Sequence, residues 1–194
     1  MTRHLAWALV MAVTASGCGG SPMSRFYTLD AVATADGAAM AGTSIVVGPV
    51  TIPAAVDRPQ LVLQVGPNRV ALDEISRWAG PLDDSIASAV AGNLSALLGT
   101  PRVVAGSIPG FDPSYRVAID VQRFESTPGK DVLVDAVWIV HVMAGGPSRT
   151  GRTVAREAAS GAEIDAVAAA HSRALARVSA DIAAAIRAPT ARTR

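Results

Sequence analysis

Residues 115–142 carry a pattern that only a β-sheet satisfies. Tyr115, Val117, Ile119 and Val121 alternate with Arg116, Ala118, Asp120 and Gln122. A period of two sends one set to each side of a strand, so one face is buried and the other is wet. Thr127-Pro128-Gly129-Lys130 turns the chain. From Val132 to Val142 the pattern changes. Val132, Val134, Trp138, Val140 and Val142 fall on one face, and Leu133, Asp135, Val137, Ile139 and His141 fall on the other. A strand that is apolar on both faces at its middle belongs inside a sheet, so this segment is expected at the centre. Gly145-Gly146-Pro147 turns again, and Arg152–Ala158 forms a third strand.

The first half of the chain reads the same way. Arg25-Phe26-Tyr27-Thr28-Leu29 is β-prone, and the Ala- and Gly-rich stretch 31–43 is a loop. Ser44–Val47 is a strand closed by Gly48-Pro49. Residues 53–59 are irregular because Pro53 and Pro59 each lack a ladder donor. Gln60–Val65 and Val70–Leu72 flank Gly66-Pro67-Asn68-Arg69 as a hairpin. Two segments have helical period. In 82–98, Ile86, Val90, Leu94 and Leu97 form one stripe, Asp83 or Asp84 is placed to cap, and Gly99 with Pro101 stops the helix. In 162–187 the stripe runs through Ile164, Ala168, His171, Leu175, Val178, Ile182 and Ile186, behind a capping box at Ser160 and Glu163. The order β-β-β-α-β-β-β-α gives an α+β fold: an antiparallel or mixed sheet with two amphipathic helices packed on one face.

The N-terminus sets the compartment. Arg3 and His4 precede the apolar run Leu5–Val13, and Ala15-Ser16-Gly17 follow. This is the layout of a secretory signal peptide over residues 1–17, and the run is shorter than the roughly 20 residues a bilayer span takes. Cys18 is the only cysteine in the chain and comes directly after the small residues. The arrangement resembles a lipobox, in which the cysteine thiolate takes up a diacylglyceryl group and becomes the mature N-terminus. Gly19, in place of an Asp, points to sorting to the outer membrane. Residues 18–24 then read as the lipidated cysteine and a tether, 25–188 as one domain, and 189–194 as a frayed tail.

Several classes of function are excluded. The net charge is +1, so a nucleic-acid binder with a concentrated cationic face is not expected. One Cys and three His leave neither a disulfide framework nor a Cys- or His-rich metal centre. The chain has no G-x-S-x-G, no phosphate-binding G-x-x-x-x-G-K-[ST] and no H-E-x-x-H. Asp83 and Asp84 are adjacent and read as capping groups. Glu74 reads as a surface residue beside a turn, and His171 as a packed histidine at the core edge, bonded to a backbone carbonyl. No metal, no catalytic residue and no cofactor beyond the lipid on Cys18 is expected.

Six segments together resemble the PqiC/YmbA family, the ABC-type transport auxiliary lipoproteins of Gram-negative bacteria. They are Ser24–Leu29, Val47–Pro53, Asp57–Val62, Trp78–Asp83, Asn93-Leu94 and Tyr115–Phe124. The resemblance spans about residues 24–187. It implies a non-catalytic lipoprotein at the periplasmic face of the outer membrane. It also implies a partner with an MCE domain that carries lipids between the membranes.

Two functions remain in view. One is a subunit that docks the MCE protein to the outer membrane. The other is a periplasmic lipid carrier with its own apolar cavity, for which a chain so rich in alanine leaves little room. For docking, Arg58 and Gln60 are the contact candidates, held in a polar run next to Pro59. Arg58 offers a planar fork to a carboxylate or carbonyl, and the contacted partner is the MCE protein or a neighbouring copy of this chain. The local alternative is an Asp57–Arg58 ion pair that fixes strand register.

Overall fold

The computed structural model describes residues 23–189. Residues 1–22, which include the segment read as a signal peptide, Cys18 and Gly19, lie outside the described residues, as do residues 190–194.

Eight strands form one mixed sheet. They are β1 (Arg25–Tyr27), β2 (Ile45–Thr51), β3 (Gln60–Gly66), β4 (Arg69–Trp78), β5 (Val103–Ala105), β6 (Tyr115–Thr127), β7 (Asp131–Val142) and β8 (Arg149–Ala158). Helix α1 (Leu82–Leu98) follows β4 and helix α2 (Ile164–Arg187) follows β8. The fold class is therefore the expected α+β. The short β5 was not foreseen. Strand β4 runs well beyond Leu72, and β2 continues past Gly48-Pro49 to Thr51 through a shift of register between Val47 and Val50.

The hub is β6 rather than β7. Along its whole length β6 pairs antiparallel with β7. Its other edge is shared, with β2 parallel over Tyr115–Asp120 and β3 meeting it at Leu63↔Ser126. Strand β7 lies between β6 and β8, one strand in from the edge. An irregularity between Val121 and Arg123 resets the alternation. Val117, Ile119 and Val121 are buried before it, and Phe124 and Ser126 after it. One extra residue thus moves the buried set from odd to even positions.

Both helices cover the same face. They touch each other, α1 lies on β2 and β5, and α2 lies on β7 and β8. Ile86, Val90, Leu94 and Leu97 of α1 and Ala168, His171, Leu175, Val178, Ile182 and Ile186 of α2 are buried against Val117, Ile119, Val132 and Trp138. Neither expected N-cap forms. Pro81 occupies the α1 cap position and no side chain bonds there, so Asp83 and Asp84 act only as negative charges in the first turn. Helix α2 starts at Ile164 with Glu163 itself at the cap. Ser160 is one turn too early, because Ala159 to Gly161 is held in a turn by Gly161 N–H to Ala159 O and by Gly129 N–H to Gly161 O. At the other ends, Gly99 closes α1 at φ 59°. The Arg149 guanidinium donates to the carbonyls of Ala185 (2.6 Å) and Ala188 (2.7 Å) of the α2 terminus.

The loop before β2 is strapped across the helices. Buried Asn93 Oδ1 accepts from Val32 N–H at 2.9 Å and Ala33 N–H at 2.8 Å. Asp30 N–H donates to Ser172 Oγ, and Met40 N–H to Leu98 O. A Cβ on Gly92 would stand 2.6 Å from the Ala31 methyl, so glycine is what lets the strap lie on α1.

The wet face of the sheet is laced with charge. Arg152 grips the buried Asp135 carboxylate with two bonds of 2.8 and 2.7 Å and holds it below the usual carboxylate range. Among the described residues no helix is long and apolar enough to cross a membrane.

Gly151 of β8 lies against the Trp138 ring of β7, where an added Cβ would overlap the indole. Gly151→Ala should destabilise the domain by about 1–3 kcal/mol. Urea unfolding checks this, and an unchanged midpoint would show that the ring moves aside freely.

Candidate functional site

Two segments far apart in the chain close on one surface cavity. Asp57, Arg58 and Pro59, between β2 and β3, form one wall, and Trp78 to Leu82, between β4 and α1, form the other, around about 430 Å³. The walls are stitched by Trp78 N–H donating to Pro59 O at 2.8 Å, and Ala79 N–H donates to Tyr27 O at 2.9 Å. Arg58 N–H donates to Val56 O, which turns the loop back on itself. Proline at 53 and 59 limits the backbone states of this loop, so little ordering is needed when something binds.

Arg58 is exposed and Gln60 half-buried. The Asp57–Arg58 ion pair considered from the sequence does not form: neither side chain takes part in a salt bridge among the described residues. Arg58 lines the cavity, and no ion pair among the described residues engages its guanidinium, whose donors suit a partner's carboxylate or carbonyls. Gln60 lies in register with Arg77 of β4, and Arg77 with Phe26 of β1.

The floor is rigid because Trp78 belongs to a buried ring cluster. Its indole meets Phe124 edge-on at 6.1 Å and His171 edge-on at 6.3 Å. Phe124 stacks flat on His171 at 3.9 Å. His171 Nε2 and Ser126 Oγ are 2.8 Å apart, so the histidine bonds a hydroxyl and not the backbone carbonyl expected from the sequence. The resetting of β6 brings Phe124 and Ser126 to this place.

The remaining sequence candidates stay apart. His141, half-buried near the end of β7, has Nδ1 3.0 Å from Ser148 Oγ, while His171 is fully buried. Asp83 is half-buried and Asp84 exposed, and Glu74 is exposed on β4 rather than beside a turn. Among the described residues no three His, Cys, Asp or Glu are grouped to hold a metal. Sequence reasoning named Arg58 and Gln60 but not the opposing wall. The signal was present, since Trp78-Ala79-Gly80-Pro81-Leu82 places a large ring before two backbone breakers.

The family described as the ABC-type transport auxiliary lipoprotein component matches the chain over residues 27–183. The protein belongs to that family. The matched span contains both walls of the cavity, the ring cluster and most of both helices. No curated protein matches the sequence. Among solved structures, the crystal structure of an uncharacterized protein is similar at TM-score 0.69 and 20% identity, covering 86% of this chain and 99% of that one. Protein XCC0632 from Xanthomonas campestris, of family DUF330, is similar at TM-score 0.67 and 19% identity, covering 82% and 92%. At these identities the likeness is one of fold. The family resemblance read from the six segments is thus supported over nearly the whole domain.

Burial pushes the His171 imidazole down to about 3 from an ordinary 6.5. Above pH 6.5 the ring is neutral folded or unfolded, so it adds no pH dependence. Below that the unfolded chain takes up a proton and the folded chain does not, until pH falls to about 3. Stability should therefore fall with pH across this window by up to about 1.4 kcal/mol per unit. His171→Leu should flatten that slope even if it is less stable at neutral pH. Urea titrations at several pH values compare the two, and parallel slopes would remove His171 as the cause.

Proposed function

We propose that this protein is a lipid-anchored subunit on the periplasmic face of the outer membrane, docking an MCE-domain protein of an intermembrane lipid transport system. Family membership supplies the association with transport. The observation that carries the docking reading is the cavity at Arg58, where a rigid aromatic floor, a restrained loop and an unpaired guanidinium meet. Such a surface suits a carboxylate or a run of carbonyls on a partner.

The role is one of attachment and not catalysis. His171, the histidine nearest this surface, is sealed behind Phe124 and Trp78 and reaches no substrate. A carrier role fits less well. The cleft of about 650 Å³ beside β1 is lined by Arg25, Asp73 and Glu163 as well as by Leu63 and Ile164, and charged walls disfavour an acyl chain. Cys18 supplies the membrane anchor and Gly19 the outer-membrane sorting signal. No further cofactor enters this reading.

Arg58→Glu should abolish capture of the MCE partner by cross-linking in intact membranes, while the melting free energy stays within about 0.5 kcal/mol. Capture at wild-type level would end the docking assignment. Loss of self-association in the same variant would give the cavity to a second copy of this chain instead. Cys18→Ala should abolish labelled-palmitate uptake, and Gly19→Asp should hold the protein in the inner membrane on fractionation. Unchanged acylation of the Cys18 variant would remove the anchor.

A further inference from the structure

Apolar surface is unevenly distributed on this domain. Ten large hydrophobic residues are exposed among the described residues, and six of them lie in one short region: Met23, Phe26, Val65, Val70, Leu72 and Ile75. Phe26 is 65% and Val70 51% exposed. They belong to β1, to the residue leading into it, and to the β3–β4 hairpin. Strand β1 covers only Ser76 to Trp78 of β4, so among the described residues no strand lies beside the outer edge of β4 from Arg69 to Ile75. Leu72 and Val70 are placed opposite Val62 and Gln64 of β3. This corner is held in shape locally. Burial works against the Asp73 carboxylate, but bonds from Ser76 N–H at 2.9 Å and Ile75 N–H at 3.0 Å hold it charged and bend the strand around it.

The chain beyond Met23 tells what this corner faces. Four residues separate Met23 from Cys18, so the two Cα atoms are at most about 18 Å apart. We propose that the β1 and β3–β4 corner rests on the bilayer surface, as a second, non-covalent membrane contact beside the Cys18 lipid. The inference rests on the anchor reading above and adds an orientation to it. An open strand edge cannot enter hydrocarbon, where its backbone groups would go unbonded. It can lie at headgroup level, where water and headgroups satisfy the edge while Phe26, Val70 and Leu72 dip toward the acyl boundary. The patch alone binds weakly, and the anchor makes that contact effectively intramolecular. With this corner down, β8 at the far edge of the sheet is turned away from the membrane.

The native chain has a single cysteine, so once Cys18 is acylated an introduced thiol is the only one open to a dye. The acylated full chain, carrying an environment-sensitive label at Phe26→Cys, Val70→Cys, Leu72→Cys or, as control, Val154→Cys on β8, is placed in phosphatidylethanolamine/phosphatidylglycerol vesicles with nitroxide-bearing lipid. The three corner labels should lose roughly half their emission or more, as expected within the headgroup layer, and the Val154 label should be unaffected. Acylated, vesicle-bound protein whose four labels are all unquenched would overturn the orientation and leave the anchor standing. Quenching at Val154→Cys alone would overturn it in favour of the opposite edge. A chain without acyl mass by mass spectrometry would overturn the anchor and the contact together.

Discussion

The fold turns on one extra residue in β6. A strand of thirteen residues that must feed one helical layer cannot keep a single alternation when it pairs with β7 along one edge and with β2 and β3 in turn along the other. The irregularity at Gln122 resolves this. It ends the odd-numbered run Val117, Ile119 and Val121 and opens the even-numbered run Phe124 and Ser126 on the same face. Without it Phe124 would point to water, His171 would lose its stacking partner, and the Trp78 floor would lose a wall. The Trp78 side of the Arg58 cavity therefore depends on the register of β6.

Much of this was legible in the sequence. The period of two in β6, the doubly apolar β7, the two helical stripes and the hairpin at Gly66–Arg69 each follow from side-chain spacing alone. What spacing did not disclose has a common cause. The cap positions, the continuation of β2 beyond Gly48-Pro49 and the partner of His171 are decided by contacts between segments distant in sequence. Ser160 and Glu163 carry the letters of a capping box, but a turn tied to Gly129 uses that stretch first. The alternation in 115–122 is clean up to the break, which only the two successive polar residues Gln122 and Arg123 before Phe124 announce. For the site, Arg58 and Gln60 stood out as a polar run between prolines. Only Arg58 lines the cavity, and the wall opposite it begins 20 residues further on, at Trp78, brought back by a hairpin.

Alanine explains how so light a set of side chains still makes a closed interior. Ala168, Ala170, Ala174 and Ala183 of α2 and Ala87, Ala89 and Ala91 of α1 are buried, which brings the helices close to each other and to the sheet. Close approach substitutes for bulk, since dispersion falls steeply with distance. The strap exploits the same closeness. Val32 and Ala33 reach a helix side chain, Asn93, because Gly92 offers no Cβ to hold Ala31 away.

The placement of β1 has a mechanical meaning. It is the first element among the described residues, and it joins β4 in parallel over Arg25↔Ser76 to Tyr27↔Trp78. Tension arriving along that chain pulls β1 lengthwise, so its ladder bonds bear load together in shear and do not peel one at a time. Behind it, Asp30 and Val32 are pinned to the two helices. A tug on the amino end is thus shared at once among the sheet edge, α1 and α2, and the domain resists being unravelled from that end.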